Sequence, residues 1–310
     1  MEIISDVTAC QCAFPNLVLT VGSFDGIHLG HQKILETVIA RARAANGTAA
    51  LMSLWPHPKA FFAPGQPLPL LTDPAQKEAL LRQLGLDVYL ILPFNSTVAR
   101  MEPAQFLAEI IAGKCGATRV VVGHDFTFGA GARGDFSFLV SEGARHGLTA
   151  EMVEPVMFGG ERVSSTRVRD LVAAGEMERA RELLGRPYTA AGVVRRGRGL
   201  GNGLGYPTAN IEPEGGILPA RGIYAARVPL DGAMHLAAVS IGIAPTLPHE
   251  RPTIEAHLLD FDGALTGRRL EIQLFHRLRD EKKFESVDAL KEGIGRDIVQ
   301  IRHYFAQNTR

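Results

Sequence analysis

The sequence predicts two domains: a doubly wound parallel α/β sheet of Rossmann-like, nucleotidylyltransferase type, and then a small antiparallel β-barrel with a C-terminal helix. Two observations lead to this fold class. As far as residue 155, short apolar strands alternate with amphipathic helices, which is the pattern of parallel βαβ units. From Tyr188 onward the helices give way to short alternating strands, with one long helix starting at Ser286. We place the two domains at residues 1–185 and 186–310.

Composition limits the classes of function. The 310 residues suffice for two separate cores, and Lys+Arg and Asp+Glu both total 33, so no net positive charge attracts nucleic acid. We see no signal peptide and no apolar segment that would span a membrane, so we expect no membrane partner and a cytoplasmic location. The three cysteines, Cys10, Cys12 and Cys115, are too few for a disulfide framework or a zinc site. Whether the chain forms a homo-oligomer stays open.

The first domain is expected to contain five strands and four helices before its final helix. The predicted strands cover residues 17–21, 48–54, 87–92, 119–123 and 149–155, and the predicted helices cover residues 32–46, 74–84, 103–112 and 138–146. Between residues 56 and 74 six prolines surround Phe61 and Phe62, which predicts a long loop without regular structure. Loops of that length are usually functional.

One segment stands out at the carboxyl end of the first of these strands, LVLTVGSFDGIHLGH at residues 17–31. An apolar strand runs into a turn that contains Gly22 and Gly26, and a helix follows. His28 and His31 lie three residues apart, so both can face one pocket beside the helix N-terminus, an end that attracts phosphate. A glycine turn with two solvated histidines explains the spacing equally well.

A second candidate is the segment ERVSSTRVR at residues 161–169. Ser164, Ser165 and Thr166 are good helix N-caps, and Arg167 and Arg169 are able to grip phosphate oxygens. Taken alone, this segment is better explained as a capped surface helix with two solvated arginines.

The second domain is expected to hold five strands and one helix. The strands cover residues 188–195, 222–230, 234–242, 253–259 and 270–276, and Asp231-Gly232 between the second and third predicts a hairpin. The helix carries one apolar stripe, formed by Val287, Leu290, Ile294, Ile298, Ile301 and Phe305.

A glycine-rich loop, GRGLGNGLGYPTAN at residues 197–210, interrupts this pattern. Its amides are able to wrap a phosphate, and the oxygens of Thr208 and Asn210 suit a Mg²⁺ ion carried on ATP phosphates. A glycine-rich hairpin loop that ends in a polar turn is the alternative. Glu255 and His257 alternate with apolar neighbours, so both side chains can point to the same side of the strand. We expect a carboxylate inside a small barrel to act either as a general base or as a partner in a structural salt bridge.

Together these segments resemble one family, the bifunctional bacterial riboflavin kinase/FMN adenylyltransferase, also called FAD synthetase. The resemblance covers nearly the whole chain, in the family's order. It rests on GSFDGIHLGH at 22–31, PHP at 56–58, GHDFTFG at 123–129, SSTRVR at 164–169, GYPTANI at 205–211, GIYAARV at 222–228 and EAHLLDF at 255–261.

The resemblance implies two Mg²⁺-dependent reactions with small-molecule substrates: ATP phosphorylates riboflavin to FMN, and a second ATP adenylylates FMN to FAD. In the first domain, the implied ATP contacts are Gly22, Phe24, Gly26, His28, His31, His57, Ser165, Thr166 and Arg169, with His28 and His31 as catalytic residues. The implied flavin contacts are Phe62, Asp125, Phe126 and Phe128. In the barrel, Gly197, Gly203, Thr208 and Asn210 would bind ATP, Thr208 and Asn210 would hold Mg²⁺, and Glu255 would be the catalytic base.

Three positions depart from the family's usual residues: Ser23 and Ser240 stand where asparagine is usual, and Asn202 where arginine is usual. The last change removes a charge from the glycine-rich loop. Two alternatives to the two-reaction enzyme stay open, a chain with one active domain and a flavin-binding sensor. The residues for ATP phosphates argue against a sensor, which would not need them.

Overall fold

A computed structural model describes residues 1–9, 14–63, 65, 68–196, 205–243 and 252–308. Gly197, Asn202, Gly203 and the pair Cys10 and Cys12 lie outside the described residues. Its contacts divide the chain into two compact units: unit 1 is Met1–Leu68 with Pro74–Ser164, and unit 2 is Pro69–Asp73 with Ser165–Arg310. Within the described ranges, we find no helix that is both long and apolar enough to cross a membrane.

Unit 1 contains a six-stranded sheet, and every pair of neighbouring strands in it is parallel. The order across the sheet is β1-β4-β3-β2-β5-β6. The strands are β1 (Glu2–Ile4), β2 (Leu17–Val21), β3 (Ala49–Trp55), β4 (Val88–Pro93), β5 (Ala117–Gly123) and β6 (Thr149–Val153). All five residues of β2 are buried, as expected for a central strand with both faces covered. The predicted parallel α/β sheet is confirmed.

Helices connect these strands in the predicted alternation. They are α1 (Leu29–Ala44), α2 (Pro58–Phe62), α3 (Pro74–Leu84), α4 (Ser96–Arg100), α5 (Pro103–Gln105) and α6 (Phe136–Arg145). A nine-residue π-helical segment, Phe106–Lys114, continues α5. One apolar cluster lies around Leu19, Leu90 and Leu107, and a second around Leu35, Val38 and Leu51, so the sheet has a core on each face.

Several short elements of unit 1, helix α4 among them, were not predicted from the sequence. Strand β1 has only three residues, too few for a periodicity signal. A hairpin of β7 (Met157–Phe158) and β8 (Glu161–Arg162) follows β6. The prediction that residues 56–74 lack regular structure is wrong at α2, because Pro58 stands at the first helical position, where a proline fits, and His57 caps the helix through Nδ1 and the Lys59 amide at 3.1 Å.

Unit 2 is built on a closed barrel of six antiparallel strands, in the order β10-β13-β12-β11-β14-β9, with β9 and β10 closing the ring. The strands are β9 (Tyr188–Arg195), β10 (Ala209–Pro213), β11 (Gly222–Leu230), β12 (Ala233–Ile243), β13 (Pro252–Leu258) and β14 (Arg269–Arg279). The predicted hairpin is confirmed, since Leu230 pairs with Ala233 and both Asp231 and Gly232 have positive φ. Strand β10 was missed because the glycine-rich loop directly before it hides its short pattern.

Among the described residues of unit 2, three helices accompany the barrel: α7 (Ser165–Ala174), α8 (Met177–Leu184) and α9 (Val287–Gln307). Ser286 caps α9, accepting from the Ala289 amide at 3.1 Å, and Ile301 and Phe305 of its stripe pack on Phe275, whereas Val287 is exposed. Helix α8, which was not predicted, packs against β9 and β14. Residues 165–184 thus group with the barrel by contacts, and the functional boundary after residue 185 stays a prediction.

Candidate active sites

The turn between β2 and α1 is bent into an unusual backbone shape. Phe24 and Ile27 have φ values of 47° and 41°, and Gly26 has 84°. Side-chain-bearing residues avoid this region, so the surroundings must hold them there. The Gly22 amide donates to the Met52 carbonyl at 3.0 Å, and the Gln32 side chain donates to the Ile27 carbonyl at 2.8 Å. The turn is therefore fixed at both ends.

This turn brings the two predicted histidines together at the N-terminus of α1. His28 is the N-cap, and its Nδ1 accepts from the His31 amide at 3.3 Å. The two rings stack with centroids 3.6 Å apart, and Phe24 lies 4.6 Å from the His31 ring. Gly30 packs closely under this pair, since a Cβ at this position would lie 3.1 Å from the His28 ring and would push the imidazole aside by a few tenths of an ångström. The helix end and two adjacent imidazoles form an arrangement suited to an anion.

Two charged side chains accompany this turn. Asp25 is 5% exposed, and Lys77 of α3 donates from Nζ to the Ser23 carbonyl at 2.5 Å. Burial lowers the pKa of Lys77 to about 8, although the charge of Asp25 opposes the shift. Sequence reasoning did not identify Lys77, because it is 54 positions from Ser23 and stands in an ordinary amphipathic helix.

The aromatic residues predicted to contact flavin differ in accessibility. Phe62 is 67% exposed and meets the Phe61 and Phe94 rings edge-on, at 5.4 and 5.8 Å. Phe126 is half-buried and stacks on Phe128, which is only 7% exposed. A planar ring system could therefore reach Phe62 and Phe126 directly, with Phe128 supporting Phe126 from behind.

Asp125 and His57 occupy defined positions at the same edge of the sheet. The strands β3, β2 and β5 are parallel neighbours, so the turns that follow them share one edge. His57 follows β3, and Asp125 follows β5. Arg162 donates to the Asp125 carboxylate at 2.7 Å and lies 2.9 Å from His124 Nε2. These contacts hold the Asp125 carboxylate in place at the edge that carries the histidine pair.

From Ser165 onward, the segment SSTRVR forms the first turns of α7 and belongs to unit 2, whereas Ser164 precedes the helix and belongs to unit 1. Ser165 opens the helix, Thr166 is exposed, and Arg169 donates from Nε to the Pro69 carbonyl at 3.0 Å. Arg169 thus has a structural contact within unit 2, where Pro69 belongs. The role of these three residues at ATP phosphates stays a prediction.

In unit 2, a row of polar side chains crosses three neighbouring strands of the barrel. Asn210 of β10 pairs with Glu255 of β13, and Glu255 pairs with Ser240 of β12. Residues that pair across strands project to the same face. Thr208 precedes Asn210 by two positions and is exposed. The structure therefore brings Asn210 and Glu255 together on one face of the barrel, with Thr208 two positions before Asn210.

The expectation that Glu255 lies inside the barrel is wrong. Ile254, Ala256 and Leu258 are buried and fill the interior, so the alternating residue Glu255 lies on the outer face. Partial burial raises the pKa of the Glu255 carboxyl, and the negative charge of Glu281 raises it further. A carboxylate on an accessible face with a raised pKa is well suited to accept a proton.

Glu281 was not identified from the sequence. Its carboxylate accepts from the Ser240 hydroxyl at 3.2 Å and lies across Gly242, where a Cβ would approach its Oε1 to 2.3 Å. A side chain at position 242 would displace the end of Glu281 from this position. Glu281 follows β14, so no spacing pattern in the sequence connects it with Glu255.

His257 fixes the turn that carries Thr208. Its Nδ1–H donates to the Pro207 carbonyl at 2.8 Å, and the Tyr206 ring meets the imidazole edge-on at 5.6 Å. His257 lies on the same outer face as Glu255, two positions further along β13. The strand that carries the carboxylate therefore also holds the segment before Asn210.

The donor atoms around Glu255 fit a magnesium ion delivered with ATP. Thr208, Asn210 and Glu255 offer hydroxyl, amide and carboxylate oxygens, the ligand type that Mg²⁺ prefers. Among the described residues, no group of three or more His, Cys, Asp or Glu side chains could hold a metal by itself. An ion held by one or two protein oxygens plus phosphates agrees with both observations.

Comparisons with known proteins match both halves of the chain. Residues 11–167 match the family model for FAD synthetase, and residues 184–305 match the model for riboflavin kinase. A Pseudomonas fluorescens protein named bifunctional riboflavin kinase/FMN adenylyltransferase is 37% identical over 92% of both chains. The Bacillus subtilis protein of the same name is 33% identical, with 93% of this chain and 92% of that protein covered.

A solved structure from Streptococcus pneumoniae, described as a macrolide-efflux protein, has the same fold over the full length. Its TM-score is 0.89 at 29% identity, with 97% of this chain and 98% of that chain covered. The resemblance inferred from the sequence motifs is confirmed by both family models and by the curated relatives. This chain belongs to the family of bifunctional riboflavin kinase/FMN adenylyltransferases.

Proposed function

We propose that this enzyme phosphorylates riboflavin to FMN in its barrel and adenylylates FMN to FAD in its first domain, with the domains at residues 1–185 and 186–310. The observation that supports the proposal most strongly is that each half of the chain matches one of the two families and carries its own cluster of polar side chains. ATP is consumed in both reactions, and a cytoplasmic location, where ATP is available, is part of the proposal.

The kinase reaction requires a base. The ribityl hydroxyl of riboflavin is neutral and loses its proton as its oxygen bonds to the γ-phosphorus, while the bond to the β-γ bridging oxygen breaks and ADP leaves. Glu255 would accept that proton. Thr208 and Asn210 would hold the Mg²⁺ that accompanies ATP, which neutralises charge on the phosphates. Asn210 lies directly opposite Glu255 in the barrel, which supports placing metal and base side by side.

The adenylyl transfer needs no base. The phosphate of FMN is already anionic, so its oxygen can attack the α-phosphorus of ATP directly, and pyrophosphate leaves. The protein must align the two groups and stabilise the developing charge. His28 and His31 would contact the ATP phosphates beside the α1 N-terminus, and Ser165, Thr166 and Arg169 would bind the leaving pyrophosphate. Phe62 and Phe126, supported by Phe128, would receive the isoalloxazine ring, and Asp125 would contact it at the edge.

One time course tests the proposal against its alternatives. Purified protein is incubated with riboflavin and MgATP, and the flavins are separated by chromatography. We expect FMN to rise first and FAD to follow. FMN that accumulates without FAD would indicate one active domain, and unchanged riboflavin with measurable flavin binding would indicate a sensor. Omitting Mg²⁺, with a chelator present, should stop both steps.

A further inference from the structure

Lys77 has contacts at the histidine turn that none of the roles above uses. From α3 its ammonium donates to the Ser23 carbonyl at 2.5 Å and lies 5.6 Å from the centroid of the Tyr89 ring. Asp25, in the same turn, faces it with a negative charge. The Tyr89 hydroxyl is itself engaged with Ser53 at 2.6 Å inside the unit. A half-buried lysine is therefore surrounded by one carboxylate, one carbonyl and one aromatic face.

The bond from Lys77 to the Ser23 carbonyl lies at the strained part of the turn. Ser23 directly precedes Phe24, the first of the side-chain-bearing residues in the left-handed region. The bonds of Gly22 and Gln32 fix the two ends of the turn, whereas Lys77 holds its middle through a charged donor. A hydrogen bond from an ammonium is about twice as strong as a neutral one. Such a clamp is what a strained turn requires to keep one shape.

We infer that Lys77 is a positioning residue for adenylyl transfer, clamping as an ammonium the turn that places His28 and His31. This inference rests on the proposed function of that turn. It adds that the clamp weakens when the Lys77 amine loses its charge, because a neutral amine donates a weaker hydrogen bond than an ammonium. Burial lowers the pKa of Lys77 to about 8, although the negative charge of Asp25 opposes this shift. The titratable side chain of Tyr89 also packs against the Lys77 ammonium. Lys77 therefore loses its charge within an accessible pH range.

The test uses the full-length protein supplied with FMN and MgATP. In Lys77→Met, which keeps the aliphatic stem but removes the donor, we expect kcat/KM for MgATP in FAD formation to fall about 10- to 100-fold. Arg82→Met is the matched control, since Arg82 of the same helix also donates to a carbonyl of unit 1, that of Met1 at 2.8 Å, but at the amino ends of the strands, away from the turn. FMN formation from riboflavin, catalysed by the other domain, should be unchanged in both variants.

The pH profile separates this role from general destabilisation. In the wild-type protein, kcat/KM for FAD formation should decline above about pH 8 as Lys77 loses its proton. Lys77→Met should lack this decline, and Lys77→Arg should recover part of the rate and also lack the decline, because a guanidinium keeps its charge throughout this range. The wild-type profile requires no variant to fold.

The outcomes are distinguishable. Wild-type protein that forms no FAD would overturn the proposed function and this inference with it. Wild-type protein that forms FAD, with Lys77→Met matching Arg82→Met in rate, would overturn the role of Lys77 alone. An alkaline decline that persists unchanged in Lys77→Met would also overturn it.

Discussion

The hydrogen bond between His257 and the Pro207 carbonyl allows a quantitative test of the kinase site. Replacing His257 by Phe removes the Nδ1 donor but keeps an aromatic ring for the edge contact with Tyr206. A neutral hydrogen bond contributes about 0.5–1.5 kcal/mol, and the exposed Pro207 carbonyl regains water when the donor is lost. Because about 1.4 kcal/mol corresponds to a factor of ten, we expect kcat/KM for riboflavin phosphorylation to fall about 2- to 10-fold.

The assay is the initial rate of FMN formation at varied MgATP, followed by chromatography. His257→Asn, whose amide nitrogen takes the place of Nδ1, should restore most of the lost rate. His235→Phe is a suitable control, since His235 of β12 also meets an aromatic ring, Phe261, edge-on at 5.2 Å. A rate for His257→Phe equal to wild type, or an equal loss of FAD formation from supplied FMN, would refute the reasoning.

Three other predictions follow from the two sites and the barrel. Glu255→Gln should slow FMN formation about 10²- to 10⁴-fold and spare FAD formation from supplied FMN. His31→Ala should slow FAD formation about 10²-fold and spare FMN formation; chromatography measures both products. Glu281→Gln should move the acid limb of the kinase pH profile to lower pH, because the Glu281 charge raises the pKa of Glu255 and the base works only when deprotonated. Arg279→Met should lower the free energy of unfolding of unit 2 by about 3–5 kcal/mol, measured by urea titration, because Asp297, which is 6% exposed, loses its guanidinium partner. The double variant with Asp297→Leu should recover most of that loss, since no buried charge is then left unpaired.

The spacing of apolar residues predicted most of the fold, because burial of one or both faces of a helix or strand dictates that spacing. Strand β9 spans the predicted residues 188–195, and β11 the predicted residues 222–230. The errors have local causes. Proline at the start of α2 obscured a helix that proline actually favours, and α8 has only eight residues, too few for a clear periodicity signal.

The sequence identified candidate site residues where the functional side chains are close together along the chain. His28 and His31 share one helix turn, and Thr208 and Asn210 one segment, so their proximity follows from local geometry. Lys77 and Glu281 contact partners that are distant in the sequence, and residue spacing cannot predict such tertiary contacts. The side of the barrel on which Glu255 lies depends on strand register, and alternation alone gives two equivalent answers.

The outward position of the polar row has a consequence for how this enzyme can vary. Asn210, Glu255 and Ser240 alternate with the apolar residues that fill the closed barrel, so the determinants of chemistry and of folding occupy separate sets of positions on the same strands. A change such as the serine at position 240, where the family usually has asparagine, alters the outer face of the barrel without creating a cavity in its core. If the polar row binds substrate as proposed, the barrel can accumulate changes in affinity while its thermodynamic stability stays nearly constant.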